Sequence, residues 1–209
     1  MFQQCRLCDA TARHFGAAHG RKYYRCPQCD AVFADHASLL APAQERERYL
    51  EHRNDPTPEY EAFLARLAHP LSQKLRAGDE GLDFGCGPVP VMALVFKRMG
   101  FSQTSYDPFF FPDGEPLNRT YDFITCSETA EHFVQPSREF ALLQSLLKPG
   151  GKLGVMTQWQ PGWETFWQWH YPRDPTHVFF YNEKTFRFVA RRFGWQAEFF
   201  PRGVVIFSS

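Results

Sequence analysis

The 209-residue chain carries 23 Lys+Arg against 23 Asp+Glu and is formally neutral with its 8 histidines uncharged, which argues against a strongly basic nucleic-acid surface. With 44% apolar residues, including 22 Phe, 8 Tyr and 5 Trp, it can bury a core, which excludes a disordered chain. The longest aliphatic–aromatic run, Val91 to Phe96, is too short to cross a bilayer, and the opening MFQQCRLCDA has no apolar signal region; the expected setting is soluble and cytoplasmic.

The first feature along the chain is a pair of knuckles, Cys5-x2-Cys8 and Cys26-x2-Cys29, 17 residues apart. Cys86 and Cys126 lie alone in apolar segments. Two knuckles at this separation match a tetrahedral four-cysteine Zn²⁺ site; redox dithiols or a disulfide framework are the alternatives. A segment this small has almost no core, so bound metal supplies most of its folding free energy. Four protein ligands leave no open position, which makes the metal structural. His14 or His19 can stand in for one thiolate, but four well-spaced cysteines make that unnecessary.

Residues 43–51, AQERERYLE, read as a solvated helix, and NDPTP at 54–58 marks a break. Glu59 to Leu75 has Tyr60, Phe63, Leu64, Leu67 and Leu71 at helical spacing. From residue 80 strands and helices alternate. Gly81-Leu-Asp-Phe-Gly-Cys-Gly ends a strand in a glycine turn, and Pro88 and Pro90 lie in the first turn of a helix running to about Met99. Strands follow at Phe101–Tyr106 and Tyr121–Cys126, then a helix from an N-cap at Ser137 to Leu147, ended by Lys148-Pro-Gly-Gly. Lys152–Thr157 is a strand, Asn182 caps an amphipathic helix, and Trp195–Phe200 with Val204–Ser208 suggests an antiparallel hairpin. The pattern predicts an α/β fold: a mostly parallel Rossmann-like sheet with a C-terminal antiparallel hairpin, plus a small N-terminal zinc-binding module.

The Gly85-Cys86-Gly87 turn between strand and helix lets a ligand approach the backbone, and a carboxylate for ribose hydroxyls belongs at the end of the next strand. Asp107 stands there, 20 residues after Gly87. Taken alone, Gly-x-Gly is equally a simple turn. Asp83-x-Gly85-x-Gly87 with Asp107, then Tyr121-Asp-Phe-Ile-Thr-Cys-Ser-Glu-Thr-Ala-Glu131-His132, then Leu147-Lys-Pro-Gly-Gly151, resembles the class I S-adenosylmethionine-dependent methyltransferases over residues 80–209. The resemblance implies that the Gly85–Gly87 turn lies against the methionine part of the cofactor and that Asp107 binds the ribose. It also implies that Asp83 orders the turn, with Pro108 and Ser127 completing the cofactor-binding set. Two departures stand out. Val89 replaces the usual third glycine, and only 13 residues separate Asp107 from Tyr121, where the family fits a helix and a strand. That strand is expected to be shortened or missing, with Phe109, Phe110 and Phe111 either covering the adenine or packing in the core.

Methyl transfer from an activated sulfonium requires alignment of the acceptor and, where needed, removal of its proton. Glu128, Glu131 and His132 are spaced to share a face of a helical turn and can hold Mg²⁺ or another divalent ion. The Glu-x-x-Glu-His order resembles ubiquinone-pathway O-methyltransferases and small-RNA 2′-O-methyltransferases, where it serves as a metal site; in the RNA enzymes a later histidine, for which His177 is the candidate here, completes it. General-base catalysis by His132 or His177 is the competing role. WQPGWETFWQWHY at 159–171 reads either as the wall of an apolar or aromatic substrate site or as a lid on the core. Tyr49, His52 and Asn54 form a further group, either closing over the site or ending an exposed helix.

The domains expected are a zinc-ribbon module at 1–35, a helical linker or cap at 36–79 and the methyltransferase domain at 80–209. The leading function is methyl transfer to a small-molecule acceptor, most simply at oxygen. One alternative is an RNA methyltransferase that grips its substrate with the zinc module, where Arg6, Arg13, Arg21, Lys22 and Arg25 against Asp9 and Asp30 give a net of +3. Another is a non-catalytic cofactor-binding subunit that docks a partner through that module.

Overall fold

A computed structural model describes residues 1–51, 54–162 and 164–209. The N-terminal strands are β1 (Phe2–Gln4), β2 (Thr11–Ala18), β3 (Arg21–Arg25) and β4 (Val32–Ala34), each antiparallel to the next. Two helices follow, α1 (Pro42–Leu50) and α2 (Pro58–Ser72), the second capped by the Thr57 side chain. Next come β5 (Glu80–Phe84), α3 (Val91–Arg98), β6 (Ser102–Tyr106), β7 (Tyr121–Ser127), α4 (Pro136–Ser145) and β8 (Leu147–Met156). The chain closes with the short β9 (Phe179–Phe180), α5 (Glu183–Phe193), β10 (Gln196–Phe200) and β11 (Val204–Ser208).

Six strands form the larger sheet in the order β10-β11-β8-β7-β5-β6. The pairs β5·β6, β5·β7 and β7·β8 are parallel, and β11 runs antiparallel to β8 and β10, as the strand–helix alternation and terminal hairpin predict. Between β6 and β7 stands only a short 3-10 turn at Glu115–Asn118, so the sheet lacks a strand on that edge among the described residues. One face is covered by α2 and α3, whose Leu64, Leu67, Leu71, Val95 and Phe96 pack with Phe123 and Met156. The other face carries α4 and α5, with Phe140, Leu143, Phe186 and Val189 in one core with Tyr24 and Phe33 of the N-terminal strands.

That shared core changes the picture of the N-terminal module as a nearly coreless appendage. Its sheet is extended by β9, which pairs with β4 through Val32↔Phe180 and Phe33↔Phe179. Packing on the larger domain therefore adds to whatever a metal contributes.

Three local expectations are corrected. Pro88 and Pro90 precede α3, which starts at Val91, because Pro90 adopts a non-helical ψ of 66°. Ser137 lies inside the first turn of α4, whose N-cap is Gln135; Pro136 takes the first helical position, where its missing N–H costs nothing. Lys148-Pro-Gly-Gly does not separate helix from strand but lies within β8, as a bulge where the pairing jumps from Tyr121↔Leu147 to Phe123↔Lys152. Among the described residues no helix is long and apolar enough to cross a membrane.

Candidate active site

At the carboxyl ends of β5, β6 and β7 lies a cavity of about 710 Å³. This is the edge where ligands bind in open α/β sheets. Its floor is the glycine turn. Gly85 (φ +79°) and Gly87 (φ +67°) have left-handed backbone, and a Cβ on Gly85 would stand 2.2 Å from Thr129 Cγ2. A Cβ on Gly87 would meet only Asn54 Nδ2 at 3.8 Å, so the backbone there is open to the cavity. The turn is tied from both sides: Gly85 N and Cys86 N donate to Tyr106 O at 2.8 and 3.1 Å, and Thr129 Oγ1 donates to Gly85 O at 3.1 Å.

Asp107 ends β6 as predicted, yet its carboxylate first organises the loop. It accepts from Gly87 N (3.0 Å), Phe109 N (2.8 Å) and Phe110 N (3.1 Å). A carboxylate has about four acceptor sites, so one remains for a ligand hydroxyl. Asp83 is buried and accepts from Thr125 Oγ1 at 2.8 Å, which in turn accepts from Gln103 Nε2 at 2.7 Å. Burial pushes the Asp83 carboxyl up to about 7, with the nearby Asp107 charge adding and the Thr125 hydrogen bond opposing. Pro108, Ser127, Phe109 and Phe110 also line the cavity, and Ser127 Oγ is buried without a partner among the described residues. Phe111 is not among the lining residues and is partly exposed.

Glu128, Glu131, His132 and His177 line the same cavity. The three residues of the Glu-x-x-Glu-His run do not share one helical face. Glu128 has a left-handed φ of +48°, and only Ala130–His132 forms a 3-10 turn. The structure instead groups Glu131, His132 and His177, with ligand atoms within 4.8 Å of one another. His132 Nδ1 faces Thr176 O at 3.0 Å and His177 Nδ1 faces Tyr171 O at 2.8 Å. Each carbonyl can only accept, so both rings carry the proton on Nδ1 and present Nε2 as an acceptor when neutral.

Glu131 is 1% exposed; its Oε1 accepts from Tyr171 Oη, while Oε2 has no partner among the described residues. Glu128 Oε2 accepts from the same Tyr171 Oη at 3.3 Å, and burial pushes its carboxyl up to about 9, with Glu131 adding. Burial holds His177 down at about 4, because desolvation outweighs the Glu131 charge. A grouping of two imidazole Nε2 atoms and one free carboxylate oxygen suits a borderline divalent ion better than Mg²⁺, which takes oxygen ligands. Pinned Nδ1 atoms are also the usual outer support of metal-ligating histidines.

The roof comes from α1 and the segment after it. Tyr49 sets its ring edge-on to His132 (5.0 Å between centroids) and near Phe109 (5.6 Å), and donates from Oη to Glu45 at 2.5 Å. Tyr49 and Asn54 thus line the cavity rather than ending an exposed helix, while His52 lies outside the described residues. Sequence reasoning did not single out Glu45 or Glu139 as lining residues, since each also reads as an ordinary helix surface position, and it placed Tyr60 only on the apolar face of α2. The aromatic run at 159–171 goes elsewhere. Trp167 stacks on Phe15 at 4.8 Å, Phe166 packs on Tyr23, and Trp159 on Phe186 and Phe199. The described residues of 159–170 wall no part of the cavity; they join the N-terminal sheet to the main one.

Some distance from this cavity, the four predicted cysteines converge. Cys5 Sγ lies 3.5 Å from Cys29 Sγ and Cys8 Sγ 3.3 Å from Cys26 Sγ, with all four sulfurs within 4.8 Å of one another. Both knuckles repeat one turn: Cys5 N donates to Ala10 O and Cys26 N to Ala31 O, each at 2.9 Å, with Asp9 and Asp30 both at φ 62°. A tetrahedral Zn²⁺ with ~2.3 Å bonds sets sulfurs ~3.8 Å apart, which these positions fit.

A family model described as a methyltransferase domain matches residues 49–198, and the chain belongs to that family. The ubiquinone biosynthesis O-methyltransferase of Photorhabdus laumondii is 31% identical over 77 residues. That match spans 37% of this chain and about a third (32%) of that protein's length. Among solved structures, the 1,6-didemethyltoxoflavin-N1-methyltransferase of Burkholderia thailandensis superposes with a TM-score of 0.57 at 15% identity, over 95% of this chain and 98% of that one. A SAM-dependent methyltransferase from Archaeoglobus fulgidus gives 0.56 at 17% identity, over 81% and 100%. At these identities the solved structures establish the fold, which is the Rossmann-like methyltransferase fold. The chain thus joins a domain of the methyltransferase family to a four-cysteine N-terminal module.

Proposed function

We propose that this protein transfers a methyl group from S-adenosylmethionine to oxygen on a small aromatic or apolar acceptor. The observation that carries the reading is one cavity lined both by the glycine turn with Asp83 and Asp107 and by His132 and His177. The partnerless Ser127 Oγ and the open backbone at Gly87 fit the cofactor side. S-adenosylmethionine held there supplies an activated sulfonium methyl. Asp107 offers its remaining acceptor site to a ribose hydroxyl, and Asp83 a buried carboxyl toward the cofactor amine. Every charged side chain among the described lining residues is acidic or histidine, which suits a cationic donor. Tyr49, Tyr60, Phe63 and Phe109 give an aromatic acceptor flat surfaces. His177, neutral at physiological pH, or His132 takes the acceptor proton on Nε2.

A second role for the same residues is supported by the free Glu131 Oε2 and the two pinned histidines. Glu131, His132 and His177 would then hold a divalent ion that lowers the acceptor hydroxyl's pKa. Chelation followed by metal readdition separates the roles; activity indifferent to both leaves the histidines as bases. The RNA reading is weaker, since Arg6 and Arg21 are buried on carbonyls and Arg25 pairs with Asp30. The domain division proposed is 1–35, 36–79 and 80–209.

The cofactor half is tested by calorimetry with S-adenosylhomocysteine. Wild type binds, and Asp107→Ala binds about 10- to 100-fold more weakly, the loss expected for charge-assisted hydrogen bonds. Unchanged affinity removes the ribose role of Asp107. Labelled S-adenosylmethionine with fractionated cell extract then identifies the acceptor, and label on nitrogen or carbon overturns the oxygen assignment.

A further inference from the structure

The loop that carries His177 is held chiefly by the four-cysteine module, through its backbone carbonyls. Arg21 of β3, 7% exposed, donates from Nη1 to Pro175 O at 2.9 Å and His177 O at 3.1 Å. Its Nη2 donates to Pro172 O and to Asp174 O, the latter at 2.9 Å. Beside it, Tyr23 Oη donates to Pro172 O at 3.3 Å. Arg6 Nη2 then takes Val178 O at 2.8 Å, and β4 continues the attachment by pairing with β9.

The other carbonyls of the same stretch serve the cavity. Thr176 O holds His132 Nδ1, and Tyr171 O holds His177 Nδ1. One guanidinium thus gathers four carbonyls of a loop whose neighbouring carbonyls, Tyr171 O and Thr176 O, set the proton position and ring orientation of both histidines. Only arginine can do this from one side chain. Its planar fork has five N–H donors, whereas a lysine ammonium has three on a single atom. Once buried, the charge must keep those acceptors, so the loop is pulled into one arrangement.

Resting on the methyltransferase reading above, we infer that Arg21 is a positioning residue for the acceptor side of the site. The four-cysteine module acts as the scaffold that orients His132 and His177 through it. The module's place in the reaction is then to build the catalytic wall, rather than to grip a substrate.

The test uses the full-length, zinc-loaded, ¹⁵N-labelled protein at pH 8 as wild type, Arg21→Lys and Arg21→Ala. Three readouts are taken: imidazole long-range ¹H–¹⁵N spectra, amide exchange of residues 171–178, and S-adenosylhomocysteine affinity. Wild type is expected to show both histidines as Nδ1–H tautomers. In Arg21→Ala both become tautomer mixtures and exchange in 171–178 quickens about tenfold or more. Arg21→Lys keeps the charge but not the fork, and does not restore the wild-type spectrum. Affinity for S-adenosylhomocysteine stays within about twofold throughout, because the glycine turn and Asp107 belong to other strands.

A folded variant that keeps both tautomers and wild-type protection of 171–178 overturns the inference. So does an Nε2–H tautomer at His177 in the wild type, a measurement that needs no variant to fold. If wild type fails to bind S-adenosylhomocysteine while the histidine spectra respond to Arg21, the cofactor reading falls and the positioning role stands.

Discussion

Asp83 shows what burial does to a single carboxyl. An unfolded aspartate titrates near ~3.9, whereas in the fold burial raises this one to about 7. Between those values the folded protein holds a proton that the unfolded chain has lost, so stability contributed by this group falls as pH rises through the window. Asp83→Asn removes that dependence. The wild-type-minus-variant difference in urea unfolding free energy should therefore shift against the wild type by ~3 kcal/mol between pH 4 and 7. A constant difference would place the titration elsewhere. Gly85 is a second residue-scale constraint, with φ +79° and Thr129 2.2 Å from any added Cβ. Gly85→Ala should cost ~2–4 kcal/mol, from left-handed strain plus overpacking, and lower the thermal midpoint accordingly.

At the scale of elements, α5 depends on its start. Asn182 Oδ1 accepts from Thr185 N at 2.9 Å, and Gly194 closes the helix in the left-handed conformation. The same side chain also donates Nδ2 to Asp30 O (3.3 Å) and Oδ2 (3.1 Å), tying the helix to the second cysteine knuckle. Asn182→Ala should cost ~1–2 kcal/mol for the cap and bridge together, measured by denaturant unfolding. Asn182→Asp keeps a capping oxygen but sets a second carboxylate beside Asp30, so it should not recover the loss; full recovery would show that the bridge contributes nothing.

For the molecule as a whole, the two sheets are fastened by β4·β9, by the Arg21 carbonyl cluster and by the Phe15–Trp167 and Tyr23–Phe166 contacts. Because the four-cysteine module shares a core with α4 and α5, removing a metal held by its cysteines should affect more than 35 residues. Chelation, or Cys26→Ser, is expected to lower the midpoint of a single transition seen alike by far-ultraviolet circular dichroism and tryptophan fluorescence. Two separated transitions would instead mean that the module unfolds alone and that the shared core couples it weakly.

Much was legible before any coordinates, for reasons of local chemistry. Cys5, Cys8, Cys26 and Cys29 announce their site because a knuckle is a short-range object, and the strand–turn–helix at Leu82–Gly87 with Asp107 is fixed by backbone requirements that glycine and a strand-end carboxylate meet. The shortened or missing strand after Asp107 followed instead from the family resemblance, because only 13 residues stand between Asp107 and Tyr121. Spacing misled where side-chain direction depends on backbone state. Glu128 at φ +48° leaves the face expected of Glu131 and His132, and Pro90 and Pro136 shift two helix starts. What only the tertiary structure decided is partnership across long separations: His177 against Glu131 and His132, Tyr49 over the cavity, and Arg21 on carbonyls more than 150 positions away. The tryptophan-rich run made the point most plainly. Its composition allowed a substrate wall or a lid on the core, and only packing could choose, because the hydrophobic effect has magnitude without direction.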